Sequence, residues 1–406
     1  MKKNILTLLS LTFLLSVSSC TIDIREDNDI PTNPTNPGNN NGSVMEGSGN
    51  LTGTITKDLL IKKGNYTLTG IVKVSDGVTL TIEAGANFTA TTNIDSSLVI
   101  LKGGKIKAEG TADQPIVFTT ASKKPGDWGG ITIYGNAPIK AVGGASTALS
   151  EDGLSQTYGG NDANSNSGVM KFVRVEYGGR KIGDGTSETN SMTFYAVGAG
   201  TILENLVSYK GTDDGFEFFG GTASGSNLIS YGNYDDSFDW QDGWSGQNNS
   251  NWYAYQTGIG NFGMEIEASS NADNTAPKVN GITLIREAGT QPEVAGSAEI
   301  TAIQFKKHGS GIFTNVYIDG YKNMGTQQAY AVLIQDLATE TDQLNKGKIK
   351  VTPINYLNSD NPGVYGYAFA TTKPVSFTNG DVKKTQFTSG AWATVDGVDL
   401  LAPVKK

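Results

Sequence analysis

One passage of the chain is written twice. Asn205-Leu206-Val207-Ser208-Tyr209 returns as Asn227-Leu228-Ile229-Ser230-Tyr231, and the same 22-residue shift carries Asp213-Asp214-Gly215-Phe216-Glu217-Phe218 onto Asp235-Asp236-Ser237-Phe238-Asp239-Trp240. A period of roughly 20 to 30 residues, made of short alternating strands and Gly/Asn/Asp turns, cannot bury its apolar face within one coil. Each coil must stack on the next, which predicts an all-β parallel solenoid.

The frame extends through Asn251-Trp252-Tyr253, Asn280-Gly281-Ile282 and Asn315-Val316-Tyr317, with steps of 22, 24, 29 and 35 residues between the asparagines. A growing step means insertions in loops. Asparagine tolerates left-handed backbone angles, and its amide can bond its equivalent one coil away, so a corner ladder of asparagines is expected. Short alternating strands are also expected at 66–74, 78–88, 97–106, 115–120 and 130–134, and the Gly/Ser/Asn-rich segment 141–167 reads as a surface loop. The β-helix should occupy residues 51–384, with 385–406 as a cap over the last open coil, because a bare sheet edge invites association. Glycine is abundant, at 52 of 406 residues, as suits a fold that turns repeatedly.

Lys2 and Lys3 precede an apolar run from Ile5 to Val17, which ends in Val17-Ser18-Ser19-Cys20. Residues 1–19 therefore read as a signal peptide. The four residues resemble a bacterial lipobox, which makes Cys20, the sole cysteine, the lipidated anchor to a membrane. Asp23, Glu26, Asp27 and Asp29 follow, and the Pro/Thr/Asn/Gly stretch behind them has little to bury, so 20–50 reads as a tether. An outer-membrane, surface-exposed location is expected. A net charge of −9 supplies no basic stripe and excludes nucleic acid as a partner.

Stacking also forces acids together. Coils of a parallel solenoid lie about 4.8 Å apart, so Asp213 should sit over Asp235, Asp214 over Asp236, and Glu217 over Asp239. Strand alternation turns Glu217 and Asp239 outward while Phe216, Phe218, Phe238 and Trp240 point in. Glu265 continues the outward row and Gln304 ends it. Like charges at this spacing repel by on the order of 3 kcal/mol at an effective dielectric near 20. Splaying into water with turn hydrogen bonds, a retained proton, or a bound cation relieves this. Oxygen ligands with no cysteine or histidine beside them favour Ca²⁺, with Asp213, Asp214, Asp235 and Asp236 as its candidate ligands. Five aromatic residues fall between 240 and 255. Trp240, Tyr253 and Tyr255 are expected in the core, while Trp244 and Trp252 are expected at the surface, where with Asp239 and Glu217 they would bind sugar.

Gly126-Asp127-Trp128-Gly129-Gly130, Tyr158-Gly159-Gly160-Asn161-Asp162, Val173-Arg174-Val175-Glu176-Tyr177-Gly178-Gly179 and Asp213 to Gly221 occur in this order. The chain resembles a family of Bacteroidota surface lipoproteins and secreted proteins, some named multidrug transporters, although no transmembrane helix follows the signal. The resemblance implies a right-handed parallel β-helix, a pectin-lyase-like solenoid, and a surface location, but no catalytic residues. The acid pairs also look like those of polygalacturonases. Those enzymes add a Gly-His-Gly one coil on, whereas the one histidine here, His308, lies some three coils away. A lyase needs a basic residue beside the acids, for which Arg174 and Arg180 are candidates.

The expected function is a non-enzymatic binding module for an extracellular glycan or an outer-membrane partner. The alternatives are a lyase or hydrolase of uronate-containing glycans, and a structural adhesin or accessory of an uptake complex.

Overall fold

The computed structural model describes residues 43–92, 94–182, 187–294, 300–367 and 380–405. The signal peptide, Cys20 and most of the tether lie outside these residues. The first strand, Ser43–Ile55, starts eight residues before the expected edge of the fold, because it pairs in parallel with Leu59–Val74 and extends the stack. Residues 43–50 thus belong to the sheet and not to the tether.

Two continuous rows of parallel strands carry the architecture. One runs through Gly168–Glu176, Ile202–Tyr209, Ser224–Tyr231, Asn249–Gln256, Lys278–Arg286 and Gly311–Asp319. The other runs through Ile131–Tyr134, Met192–Tyr195, Phe216–Phe219, Phe238–Gln241, Met264–Ile266, Ile303–Phe305 and Val332–Ile334. Each coil gives one strand to each row, so the chain is a parallel β-helix. The core follows from alternation: Leu206, Leu228, Trp252, Ile282 and Val316 stack inward from the first row, and Phe216, Phe238, Met264 and Ile303 from the second, all fully buried. Burying each such side chain is worth about 1.5–3 kcal/mol, obtained only when a neighbouring coil covers it.

The asparagine ladder forms. Asn205, Asn227 and Asn251 each have φ of 55°, and Asn315 has 56°. Asn227 Nδ2 donates to Asn205 Oδ1 at 3.0 Å, and Asn251 Nδ2 donates to Asn227 Oδ1 at 3.0 Å. One rung differs from the sequence alignment. Trp252 pairs with Ile282 and Ser250 with Asn280, so Gly281, with φ of 81°, holds the left-handed place. Asn280 still serves the ladder from the preceding position, accepting from Asn315 Nδ2 at 2.8 Å.

The C-terminal segment does not lie over the last coil. Thr385 N donates to Thr283 Oγ1 at 2.9 Å, Phe387 packs on Tyr253, and Trp392 N donates to Ala112 O at 3.0 Å. Residues 385–405 therefore run back along the outside of the first row as a strap. They cover Val207, Ile229 and Tyr253, apolar side chains that alternation turns outward, with Trp392, Leu400 and Leu401. Left open, that stripe would be a contiguous exposed apolar patch. No helix among the described residues is long and apolar enough to cross a membrane.

Candidate functional site

The second row of strands places the outward acids in register. Glu217 pairs with Asp239, Asp239 with Glu265, and Glu265 with Gln304, while Thr193 precedes Glu217. The turn that enters each strand supplies the rest. There Asn190, Asp214 and Asp236 occupy equivalent places, and each side-chain Oδ1 accepts a main-chain N–H one coil along. Asn190 receives Asp214 N at 3.2 Å, Asp214 receives Asp236 N at 2.9 Å, and Asp236 receives Phe262 N at 2.6 Å. The turn role expected of these acids is real, but it uses one oxygen of each.

The acids do not splay into water. Asp213, Asp214, Asp236 and Glu217 are all buried. Together with Glu151, Glu188, Asn190, Asp235, Asp239, Gln241, Glu265, Glu267, Lys306 and Lys307, the residues Asp213, Asp214 and Glu217 line a cleft of about 350 Å³. The lining thus holds nine carboxylates against two lysines. Ligand oxygens approach within 4.8 Å of one another in four overlapping sets: Glu188–Asp213–Asp235, Asp214–Glu217–Asp239, Asp214–Asp235–Asp236 and Asp236–Asp239–Glu265.

Burial is the main cause that lifts these carboxyls above their ordinary range, and repulsion adds to it. Asp235 repels Asp213 and Asp236, Glu151 repels Glu217, and Glu265 repels Asp239. Glu151, exposed on its outer side at the cleft rim, is pushed up to about 7, first by desolvation on the side that faces the cleft and then by Asp242. Glu217 has partners on both oxygens, Gln241 Nε2 at 3.1 Å and the Asn190 amide. Among the described residues, the buried Oδ1 of Asp239 accepts no hydrogen bond.

The surface role expected of the tryptophans is wrong. Trp252 is 0% exposed and Trp244 1%. Trp252 takes the inward place of Leu228 and stacks on Phe238 at 4.7 Å, with Nε1 donating to Gly225 O at 3.0 Å. Trp244, in the loop, closes the same core on Phe218 at 4.6 Å, with Nε1 on Ala223 O at 3.0 Å. Each indole N–H finds a carbonyl of the preceding coil, which makes core burial inexpensive. Trp240 is in the solenoid core as expected; Tyr253 and Tyr255 are not, because Trp252 takes the inward place and turns both outward, Tyr253 wholly buried under the C-terminal strap and Tyr255 half-buried against Tyr231.

Several cleft residues had gone unread. Glu267, Lys306 and Lys307 follow the ends of strands already placed in the row, so extending the register by one or two residues would have found them. Glu151 and Glu188 carry no repeat signal. Glu151 comes from the segment read as a loop, whose short hairpin pairs Ala148–Leu149 with Thr157–Tyr158 and is tied down through Tyr158 to Asp242. Glu188 comes from a hairpin beside the cleft, where Lys181 bridges it at 3.1 Å and Glu293 at 3.0 Å.

Neither arginine weighed as a lyase base lines the cleft. Arg174 binds Glu176 at 2.6 Å and Ala391 O at 2.7 Å, and Arg180 binds Asp95. His308 Nε2 lies 3.2 Å from Asp342 Oδ2 and does not line the cleft. Burial works against the charge of Lys306, but Glu265, Asp239 and Glu267 outweigh it and hold the ammonium above its ordinary range. A lysine so held keeps its proton and cannot abstract another.

Neither the curated proteins nor the solved structures contain a match to this chain. The family model described as a pectate-lyase-like β-helix domain matches residues 53–394, and the chain belongs to that family.

Proposed function

We propose that the protein is a non-enzymatic binding module that holds divalent cations in its acidic cleft and uses them to bridge an anionic extracellular glycan. The observation that carries this reading is the four sets of carboxylates from adjacent coils, each within 4.8 Å and largely removed from water. Oxygen-only ligands of this kind suit Ca²⁺, whose coordination sphere tolerates irregular geometry and leaves places for ligand oxygens. Tethering through Cys20 at the outer-membrane surface would put the cleft where such glycans are met. An outer-membrane protein as the bridged partner is the other form of this reading.

Calorimetry of the full-length, metal-stripped protein with CaCl₂ tests the first half. Saturable binding that Asp214→Asn with Asp239→Asn abolishes is expected, and no heat in the parent would end the cation reading. Retention on polygalacturonate gel with CaCl₂, reversed by chelator, tests the second half.

A hydrolase is the second reading, favoured by the raised carboxyls, since a proton retained on one acid beside an ionised neighbour is the arrangement a glycosidase uses. Release of reducing ends from polygalacturonate, lost in Glu217→Gln, would favour it over the binding module.

A further inference from the structure

In a bare solenoid each coil touches only the coil before it and the coil after it, so coils open one at a time from the ends. The C-terminal strap breaks that rule. It follows one outward column of the first row of strands, which runs in register from Asn355 through Thr283, Tyr253, Ile229 and Val207 to Arg174. At one end Gly380 N donates to Ile354 O at 2.8 Å, and Asn355 Nδ2 donates to Val382 O at 3.0 Å. Thr385 and Phe387 meet Thr283 and Tyr253 in the middle. At the other end the Trp392 ring packs edge-on against Phe172 at 5.6 Å.

The far end is fastened by charge. Arg174 Nη1 donates to Ala391 O at 2.7 Å and to Trp392 O at 3.3 Å, while Glu176 holds its Nε at 2.6 Å, with side-chain exposures of 11% and 7% for the pair. Past Arg174 the column continues through Val117 to Asn87 and Asn65, which need no apolar cover. There the strap folds back on itself, pairing Thr394–Val395 with Val398–Asp399. The coils beneath it are those that carry the cleft: Ile202–Tyr209 leads into the strand of Glu217, Ser224–Tyr231 into that of Asp239, and Asn249–Gln256 into that of Glu265. Ionised acids stacked on one face of these coils push them apart, and the strap ties them together on another.

We propose that the strap is a longitudinal clamp, latched by Arg174, that makes the coils from Phe172 to Leu357 open as one unit and so holds the cleft acids at coil spacing. This holds whatever the cleft binds. The docking has one imperfection. Tyr253, wholly buried under the strap, has a hydroxyl with no hydrogen-bond partner among the described residues. Removing that oxygen should tighten the clamp, because a buried orphan hydroxyl weakens the contact that buries it.

Hydrogen exchange of the full-length protein, read by mass spectrometry, is the test. Trp392→Ala should speed exchange by about tenfold or more in Ile354–Leu357, at the opposite end of the column, and in Phe238–Gln241 beside the cleft. Ser97–Ile100, in a coil closer to Trp392 but outside the strap, should change less. Arg174→Gln should act in the same direction, and Tyr253→Phe should slow exchange in the strap and in Ile354–Leu357 together. Acceleration by Trp392→Ala that reaches Ser97–Ile100 ahead of Ile354–Leu357, or stays beside Trp392, overturns the proposal, and so does Tyr253→Phe without slowing of Ile354–Leu357. Arg174→Gln leaving Ile354–Leu357 at the parent's rate overturns the latch. If Trp392→Ala fails to fold, the Tyr253→Phe comparison decides.

Discussion

Asp214 Oδ1 accepts the main-chain N–H of Asp236 at 2.9 Å, across one coil of the stack. The carboxylate thus has two duties. One oxygen completes the turn of the next coil, and the other faces the acids of the cleft, where burial and Asp213 raise its pKa.

The two duties separate by mutation. Asn190 holds the equivalent place one coil earlier with an amide, so Asp214→Asn should keep the turn hydrogen bond while removing a repelling charge. The expected outcome is a thermal midpoint equal to or above the parent's without cation, together with lost calcium binding. Asp214→Ala orphans a buried N–H and should cost about 1–3 kcal/mol.

Stability should fall as pH rises when no cation is present. Asp213, Asp214, Glu217, Asp236 and Asp239 all have folded-state pKa values above their unfolded ones. The folded state therefore binds more protons, and its advantage is complete below about pH 4 for these groups and declines as pH climbs through their raised values. Glu151, at about 7, is among the groups that lose their proton between pH 5 and pH 8. Thermal midpoints in chelator should be higher at pH 5 than at pH 8, and CaCl₂ should restore the value at pH 8. A midpoint that rises from pH 5 to pH 8 in chelator would show the acids to be ionised and compensated in another way.

Trp252→Ala should behave as a core deletion. The ring is wholly buried between coils, and its removal should cost about 3–5 kcal/mol, read as a fall in thermal midpoint. A sugar-binding tryptophan at the surface would instead cost little stability and much affinity.

Asn227 tests the corner ladder. Asn227→Gly loses the bonds to Asn205 and Asn251 but keeps the left-handed angle without strain, as Gly281 does at the same place. Asn227→Ala loses the bonds and adds about 1–2 kcal/mol of backbone strain. The order of thermal midpoints should be parent, then Gly, then Ala.

The repeat from Asn205 to Trp240 determined the coil, its register and the stacking of Glu217 on Asp239, because a parallel stack forces equivalent residues into contact whatever surrounds them. Alternation likewise determined that Phe238 and Trp240 point inward. What period could not convey is what covers a coil from outside. The strap of residues 385–405 hides an outward apolar stripe, and its docking on Tyr253 and Ala112 joins positions with no shared register. Glu151 and Glu188 turn a row of acids into a walled cleft, yet each comes from an insertion whose place is decided by distant partners such as Asp242 and Glu293. Trp244 was misread for the same reason: it lies in a loop, where no alternation applies, and the carbonyl of Ala223 and the rings of Phe218, Trp240 and Trp252 direct it into the core. Local pattern fixes what repeats, and long-range packing decides everything the repeat leaves out.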